Sequence, residues 1–259
     1  MVVVSKKSIE KLIEDVAPKV EKLTGWDTHV DELCVKLVGR DQIWEHGIKP
    51  KYEFLGIDIE PKTQKGKSTI KMIKLITPYL LLGQYEPLTK AMLIIPDNLR
   101  FGTNESGLAI TIGHELVHRC QFANNLPFAK LYSTLVKKTT GSNAFDEDPD
   151  EDKSYEKYLQ AYMTLTEGDA SHVEDQLKKM FYQDAENKSA HSSNFIGLML
   201  LIASLGDKNS GFMQKLKQYE EGKKIVSKIY EREGRLGVNK LYNLGTKGLY
   251  NTFGEKKWQ

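Results

Sequence analysis

Cysteine is scarce in this chain: only Cys34 and Cys120 occur in 259 residues. That excludes the disulfide framework on which small secreted domains depend. Both lie in apolar settings and read as buried thiols. Long hydrophobic runs are missing too. The longest, 195–205, is broken by Gly197 and Ser204 and falls short of the about 20 residues that a membrane helix requires. The N-terminus has no basic stretch followed by an apolar core, so no secretory leader is expected and a cytoplasmic location is. Neither sign of charge is in excess: 37 Lys and Arg face 35 Asp and Glu. The lysines are dispersed, with no arginine-rich stripe interleaved with aromatics. Neither nucleic acid nor a membrane is therefore expected as a partner.

What is present suits a globular protein. Hydrophobic residues make up 40% and charged residues 28% of the chain, enough to bury a substantial core without cross-links. No internal repeat is evident, and nothing in the pattern sets an oligomeric state. Ile9, Leu12, Ile13, Val16 and Val20 recur at helical spacing and predict a helix over 6–23 ending near Gly25, with Pro18 weakening its last turn. Residues 33–38 and 52–59 read as strands, 41–50 as a loop, and the Lys- and Gly-rich 61–68 as an exposed turn. The stretches 79–85 and 91–96 read as strand, turn, strand, with Pro96 ending the second or placing it at a sheet edge. Beyond Thr103 the pattern is almost wholly helical. The exception is 139–153, where Gly141, Asn143, Pro149 and six acidic residues between Asp146 and Asp152 mark a solvated loop without EF-hand spacing. The expectation is an α+β fold, a small, partly antiparallel sheet followed by a helical half. Residues 1–78 form an N-terminal segment contiguous with a catalytic region over 79–259.

The stretch from Leu108 to Phe122 contains H-E-x-x-H: His114, Glu115 and His118. Four residues make about one helical turn, so both histidines can aim a ring nitrogen at one ion. Glu115 lies about 60 to 100° round the helix, beside the ion rather than on it, where it can take a proton from water. Cys120 lies about 160° from His118 and is excluded as a ligand. The surrounding Leu108, Ile110, Ile112, Leu116 and Val117 predict a buried helix, in which polar groups need partners. A metal ion supplies one. A third ligand is sought on a second helix, where Glu167 stands in an otherwise uncharged run and Gly168 permits close approach of another backbone. His172, about 140° round from Glu167, competes with it and reads as a packed or solvated histidine. His29, His46 and His191 have no partner at ligand spacing.

The segment Thr166-Glu167-Gly168-Asp169-Ala170-Ser171-His172-Val173-Glu174 resembles the N-E-G-F-A-S-Y-V-E segment of aminopeptidase-N-like gluzincins. With H-E-x-x-H, the resemblance implies a zincin-like fold, a single zinc ion, Glu167 as third ligand and Glu174 as the carboxylate holding a ligand histidine by its other ring nitrogen. The chain departs from that family in three places. The interval from His118 to Glu167 is longer, Thr166 replaces the Asn, and Lys90-Ala91-Met92-Leu93-Ile94 lacks the carboxylate of the exopeptidase G-A-M-E-N segment. Further on, Tyr219-x-x-Gly222 and Asn239-x-x-Tyr242 resemble a group of prokaryotic H-E-x-x-H proteins. Tyr219 is the first choice as hydrogen-bond donor to an oxyanion and Tyr230 the second, with packing as the competing role of both.

The function expected is zinc-dependent hydrolysis of a peptide bond within a peptide or protein substrate, with Glu115 as general base. The strand at Leu93, Ile94 and Ile95, immediately before the active helix, is the expected edge against which an extended substrate adds. A metal-binding scaffold without efficient turnover is the alternative from another class, and hydrolysis of a non-peptide amide uses the same chemistry.

Overall fold

The structure is a computed structural model and describes residues 4–77, 81–99, 104–145, 152–185 and 211–254. His191, the apolar run 195–205 and most of the acidic loop (146–151) lie outside the described residues. The protein has an α+β fold, mostly helical, with one three-stranded mixed sheet.

Helix α1 (Lys6–Thr24) begins where Ser5 accepts from the Ser8 amide in a capping box and ends at Gly25, whose φ of 68° gives the left-handed cap. Ile9, Ile13, Val16, Ala17 and Val20 form its buried face and pack against the later helices. Strand β1 (Cys34–Leu37) follows as the spacing predicts. Cys34 is exposed at its start, contrary to expectation, because the first position of this short strand projects from the core. Cys120 is buried, its thiol pushed up to about 12 by loss of water. Both thiols are free.

The segment expected as a loop at 41–50 and a strand at 52–59 is helical through Leu55 instead, and beyond Gly56 only Asp58 pairs, in an isolated bridge with Asn143. A π turn, Trp44–Ile48, runs into α2 (Lys49–Leu55), with Pro50 in the first turn and Gly56 as a left-handed cap at φ 67°. Pro in a first turn and Gly just past the end are helix boundaries; they prevail over the strand-favouring Tyr52, Phe54, Ile57 and Ile59. The Lys-rich stretch expected as a turn likewise enters a helix, α3 (Gln64–Ile76), whose first turn is capped by Thr63 accepting from the Gly66 amide.

Strands β2 (Gly83–Glu86) and β3 (Ala91–Ile94) form the antiparallel hairpin, and β1 joins β3 in parallel. The order β1-β3-β2 puts β3 in the centre. This corrects the edge assignment of Leu93, Ile94 and Ile95. Their side chains are fully buried, Ile94 with Met92 against α1 and the later helices, and Leu93 and Ile95 against Val38 and Ile43. A strand covered on both faces and paired on both sides offers no free edge. β2 is the flank nearest the later helices.

After the helical turn α4 (Pro96–Leu99) come α5 (Glu105–Ala123), capped by Asn104, then α6 (Leu126–Thr140) and α7 (Glu156–Phe181). A long helix, α8 (Gly211–Leu241), is broken at Gly234, where φ is 64°, and α9 (Thr246–Phe253) closes the described chain. Glycine enters that left-handed region without strain, and the break falls on it. Helix α5 is buried along most of its length, between α1, β2 and α7.

Candidate metal centre

Helix α5 carries His114, Glu115 and His118; α7 carries Glu167 and Glu174. Both His Nε2 atoms face one oxygen: His114 Nε2 lies 3.5 Å and His118 Nε2 3.4 Å from Glu167 Oε2. Ligand bonds of about 2.0 to 2.1 Å in a tetrahedron put donor atoms about 3.4 Å apart, so this spacing fits an ion of zinc's size. These three side chains can hold a metal ion, all three donor atoms lying within 4.8 Å of one another. His114 and Glu167 are buried and His118 nearly so.

The other ring nitrogens are also engaged. His114 Nδ1 donates to Glu174 Oε2 at 3.0 Å, where the sequence resemblance puts it. His118 Nδ1 pairs with Gln121 Oε1 at 2.9 Å. Hydrogen bonds on the far side of an imidazole fix its orientation and leave Nε2 for the metal. Burial disfavours a charged His114, but the carboxylates of Glu167 and Glu174 outweigh it and push its pKa up to about 10. Metal binding here displaces that proton.

Glu115, beside the ligand triad, meets β2. In the hairpin, Ile95 N–H donates to Leu82 C=O, and the alternation of an antiparallel pair turns the backbone groups of Gly83 and Tyr85 outward. Tyr85 N–H meets Glu115 Oε2 there at 2.6 Å. A Cβ added at Gly83 would lie 3.5 Å from Glu115 Cγ, so β2 and the carboxylate are in contact. Arg119, one turn further on, donates to the Tyr85 hydroxyl at 3.1 Å and to Glu32 at 3.1 Å. Tyr85 is thus held by both ends to α5.

Tyr219 reaches the cluster. Its ring centroid is 6.0 Å from that of His114, and its hydroxyl is within hydrogen-bonding reach of Glu167. Burial, together with the charges of Glu167 and Glu115, raises its pKa well above the ordinary tyrosine value. It stays a protonated donor. Its placement follows from a helix crossing: a Cβ at Gly168 would fall 2.2 Å from the Gly222 backbone, and one at Gly222 2.1 Å from the Thr164 carbonyl. The two glycines let α7 and α8 touch next to Glu167, and Tyr219, one turn before Gly222, hangs over the site.

Tyr230 is not brought there. Eleven residues beyond Tyr219, it is about 16 Å further along the helix, and its ring lies 4.8 Å from that of His172. His172 itself is a packed residue: Nδ1 pairs with Ser227 Oγ at 2.8 Å and Nε2 with Gln176 at 3.2 Å. His29 and His46 stand apart from the cluster, before the short helical turn Val30–Glu32 and in the π turn.

The sequence reading missed the residues behind the triad. Asp169, wholly buried, receives both Arg235 Nη atoms and the Tyr242 hydroxyl, the latter at 2.7 Å. Gln121 Nε2 donates to Thr166 C=O at 3.0 Å and lies 3.4 Å from Asp169. Asp169, two residues after Glu167 and between the small residues Gly168 and Ala170, gives little signal in the sequence. Gln121 had only its position, three residues after His118 on the same face.

No protein-family model and no curated protein matches the chain. Its fold is similar to a solved structure from Chloroflexus aurantiacus, described as a candidate hydrolase with a novel fold. The TM-score is 0.60 over 96% of this chain and 89% of the other, with 13% sequence identity. Among the described residues, no helix is long and apolar enough to cross a membrane.

Proposed function

We propose that the protein is a zinc-dependent hydrolase that cleaves peptide bonds, with His114, His118 and Glu167 as ligands and Glu115 as general base. The observation that carries this reading is the convergence of two imidazole Nε2 atoms on one Glu167 oxygen, with a second carboxylate beside the triad but not in it. Two nitrogens and a carboxylate, leaving one position open, form a donor set suited to catalytic zinc. The hydrolase description of the structural neighbour supports the same class of reaction.

Zinc, when bound, polarises a carbonyl and brings the pKa of water down to about 7. Glu115 takes the proton of the attacking water and passes it to the leaving amine. Tyr219, held protonated by burial, donates to the oxyanion that develops on the carbonyl. The outward C=O and N–H of Gly83 and the C=O of Tyr85 on β2 supply main-chain partners for an extended peptide, so β2 rather than β3 is the strand beside which substrate adds. The Tyr85 N–H is already committed to Glu115 and aims the base instead.

That commitment also favours a second reading, a metal-holding scaffold whose glutamate is a structural tie to β2. A peptide-library cleavage assay on zinc-loaded protein separates the two. Cleavage by the wild type, and its loss in Glu115→Gln with zinc still bound, is the result expected of the hydrolase. Zinc uptake with no cleavage of any peptide would leave the scaffold.

A further inference from the structure

We propose that Gln121 is a positioning residue for this centre: its carboxamide sets the Nδ1–H tautomer of His118 and ties that ligand's helix to the peptide preceding Glu167. This rests on the reading that the triad holds a metal, but one of its consequences can be measured without any metal.

The direction of the amide decides the tautomer. Gln121 is wholly buried, so its hydrogen bonds are those made within the protein. Its Nε2 faces the Thr166 carbonyl at 3.0 Å and an Asp169 oxygen at 3.4 Å. A carbonyl oxygen only accepts. Asp169 is ionised against Arg235 and already receives the Tyr242 hydroxyl, so it also accepts. The amide nitrogen must therefore point at α7 and its oxygen at the His118 ring, 2.9 Å away. An amide oxygen only accepts, so His118 Nδ1 carries the hydrogen and, in the neutral ring, the Nε2 lone pair is left facing the centre of the triad.

Only an amide performs both tasks in this place. A carboxylate at 121 could accept from His118, but it would meet the Thr166 carbonyl and Asp169 with no proton to give. An apolar residue would leave His118 Nδ1 unpaired in a buried site and the Thr166 carbonyl with only its intrahelical bond. The two ligand histidines are thus backed differently: His114 by the carboxylate of Glu174, His118 by a neutral group whose orientation depends on α7 and, through Asp169, on Arg235 of α8. Because Thr166 immediately precedes Glu167, one side chain links the second ligand to the backbone that presents the third.

The test has two readouts. Nitrogen-15 spectra of ring-labelled histidines in metal-free protein, recorded above neutral pH, should show His118 as the Nδ1–H tautomer. In Gln121→Leu the same ring should move toward Nε2–H, where Glu167 can accept. Chelator competition should show zinc affinity falling about 10- to 100-fold in Gln121→Leu, with Gln176→Leu, which removes the partner of His172 instead, left at the wild-type value. An Nε2–H tautomer for His118 in the wild type overturns the proposal even if Gln121→Leu does not fold. So does wild-type affinity in a folded Gln121→Leu. If the wild type takes up no zinc, the hydrolase reading falls, while the ring spectra still judge Gln121.

Discussion

Glu167 and His172 stand five residues apart on one helix, and the sequence alone leaves both open as third ligand. The structure separates them by their partners. Glu167 turns one oxygen toward both ligand imidazoles, whereas both His172 nitrogens are taken by Ser227 and Gln176. Glu167→Ala should weaken zinc binding by several orders of magnitude, and His172→Ala should leave it within a few-fold of wild type, both read by equilibrium chelator competition. Equal losses would place a ligand on the wrong face of α7. The pair His114 and His118 was legible because a four-residue interval fixes a shared face whatever the rest of the fold does. The choice between Tyr219 and Tyr230 was not. Both lie on one face of α8, and which of them meets the ligands depends on where α8 crosses α7.

The crossing point is set by Gly168 and Gly222, and here the element scale takes over. Either glycine carrying a methyl group would drive backbone into backbone. Gly222→Ala should therefore displace α8, cost about 1 to 3 kcal/mol or more of stability, and lower turnover far more than zinc affinity, because Tyr219 moves and the ligands on α5 and α7 do not. A denaturation curve and a zinc titration on the same sample check both halves. A Gly222→Ala protein with full activity would remove Tyr219 from the mechanism.

The sheet offers a parallel case. A hairpin is local, so β2 and β3 could be read from alternation and the intervening turn. The partner that makes β3 central is β1, more than 50 residues earlier, and no local pattern announces it. The short α2 is the opposite case: its markers, Pro50 and Gly56, are local, but they flank strand-favouring Tyr52, Phe54, Ile57 and Ile59. With β2 as the free flank, an extended peptide meets main-chain groups rather than a fixed carboxylate for its amino terminus. Glu86, at the end of β2, is buried and takes the Leu88 amide. Acetylating the N-terminus of a good substrate should change kcat/KM by less than about tenfold, or 1.4 kcal/mol. A much larger loss would show recognition of a free amine and an exopeptidase.

At the scale of the whole molecule, the buried Asp169 joins four elements that the sequence gives no reason to connect. It takes both Arg235 Nη atoms and the Tyr242 hydroxyl from α8 and its C-terminal end, and it lies beside Gln121 of α5. Arg235 Nε reaches the Thr24 carbonyl at the end of α1 at 3.1 Å, and the guanidinium lies over Trp26. Burial alone would raise the Asp169 pKa. The Arg235 charge, helped by hydrogen bonds from Arg235, Tyr242 and Gln121, more than reverses this and holds it below the ordinary aspartate value. A carboxylate whose pKa is lower folded than unfolded binds its proton more readily in the unfolded chain. Its stabilisation is therefore complete above the unfolded value, about 3.9, and is lost as pH falls through the folded one. Asp169→Asn leaves Arg235 buried without its counter-charge and should cost about 3 to 5 kcal/mol near neutrality. Urea denaturation of wild type and variant across the pH range should show that gap holding from neutrality down to about pH 4 and closing below it, with a shallower acid limb in the variant. A gap that stays constant into strong acid would mean that Asp169 contributes by packing and hydrogen-bond geometry rather than by charge. The tie between α1, α5, α7 and α8 would then depend on the fit of the side chain and its two acceptor oxygens at every pH, whatever its charge.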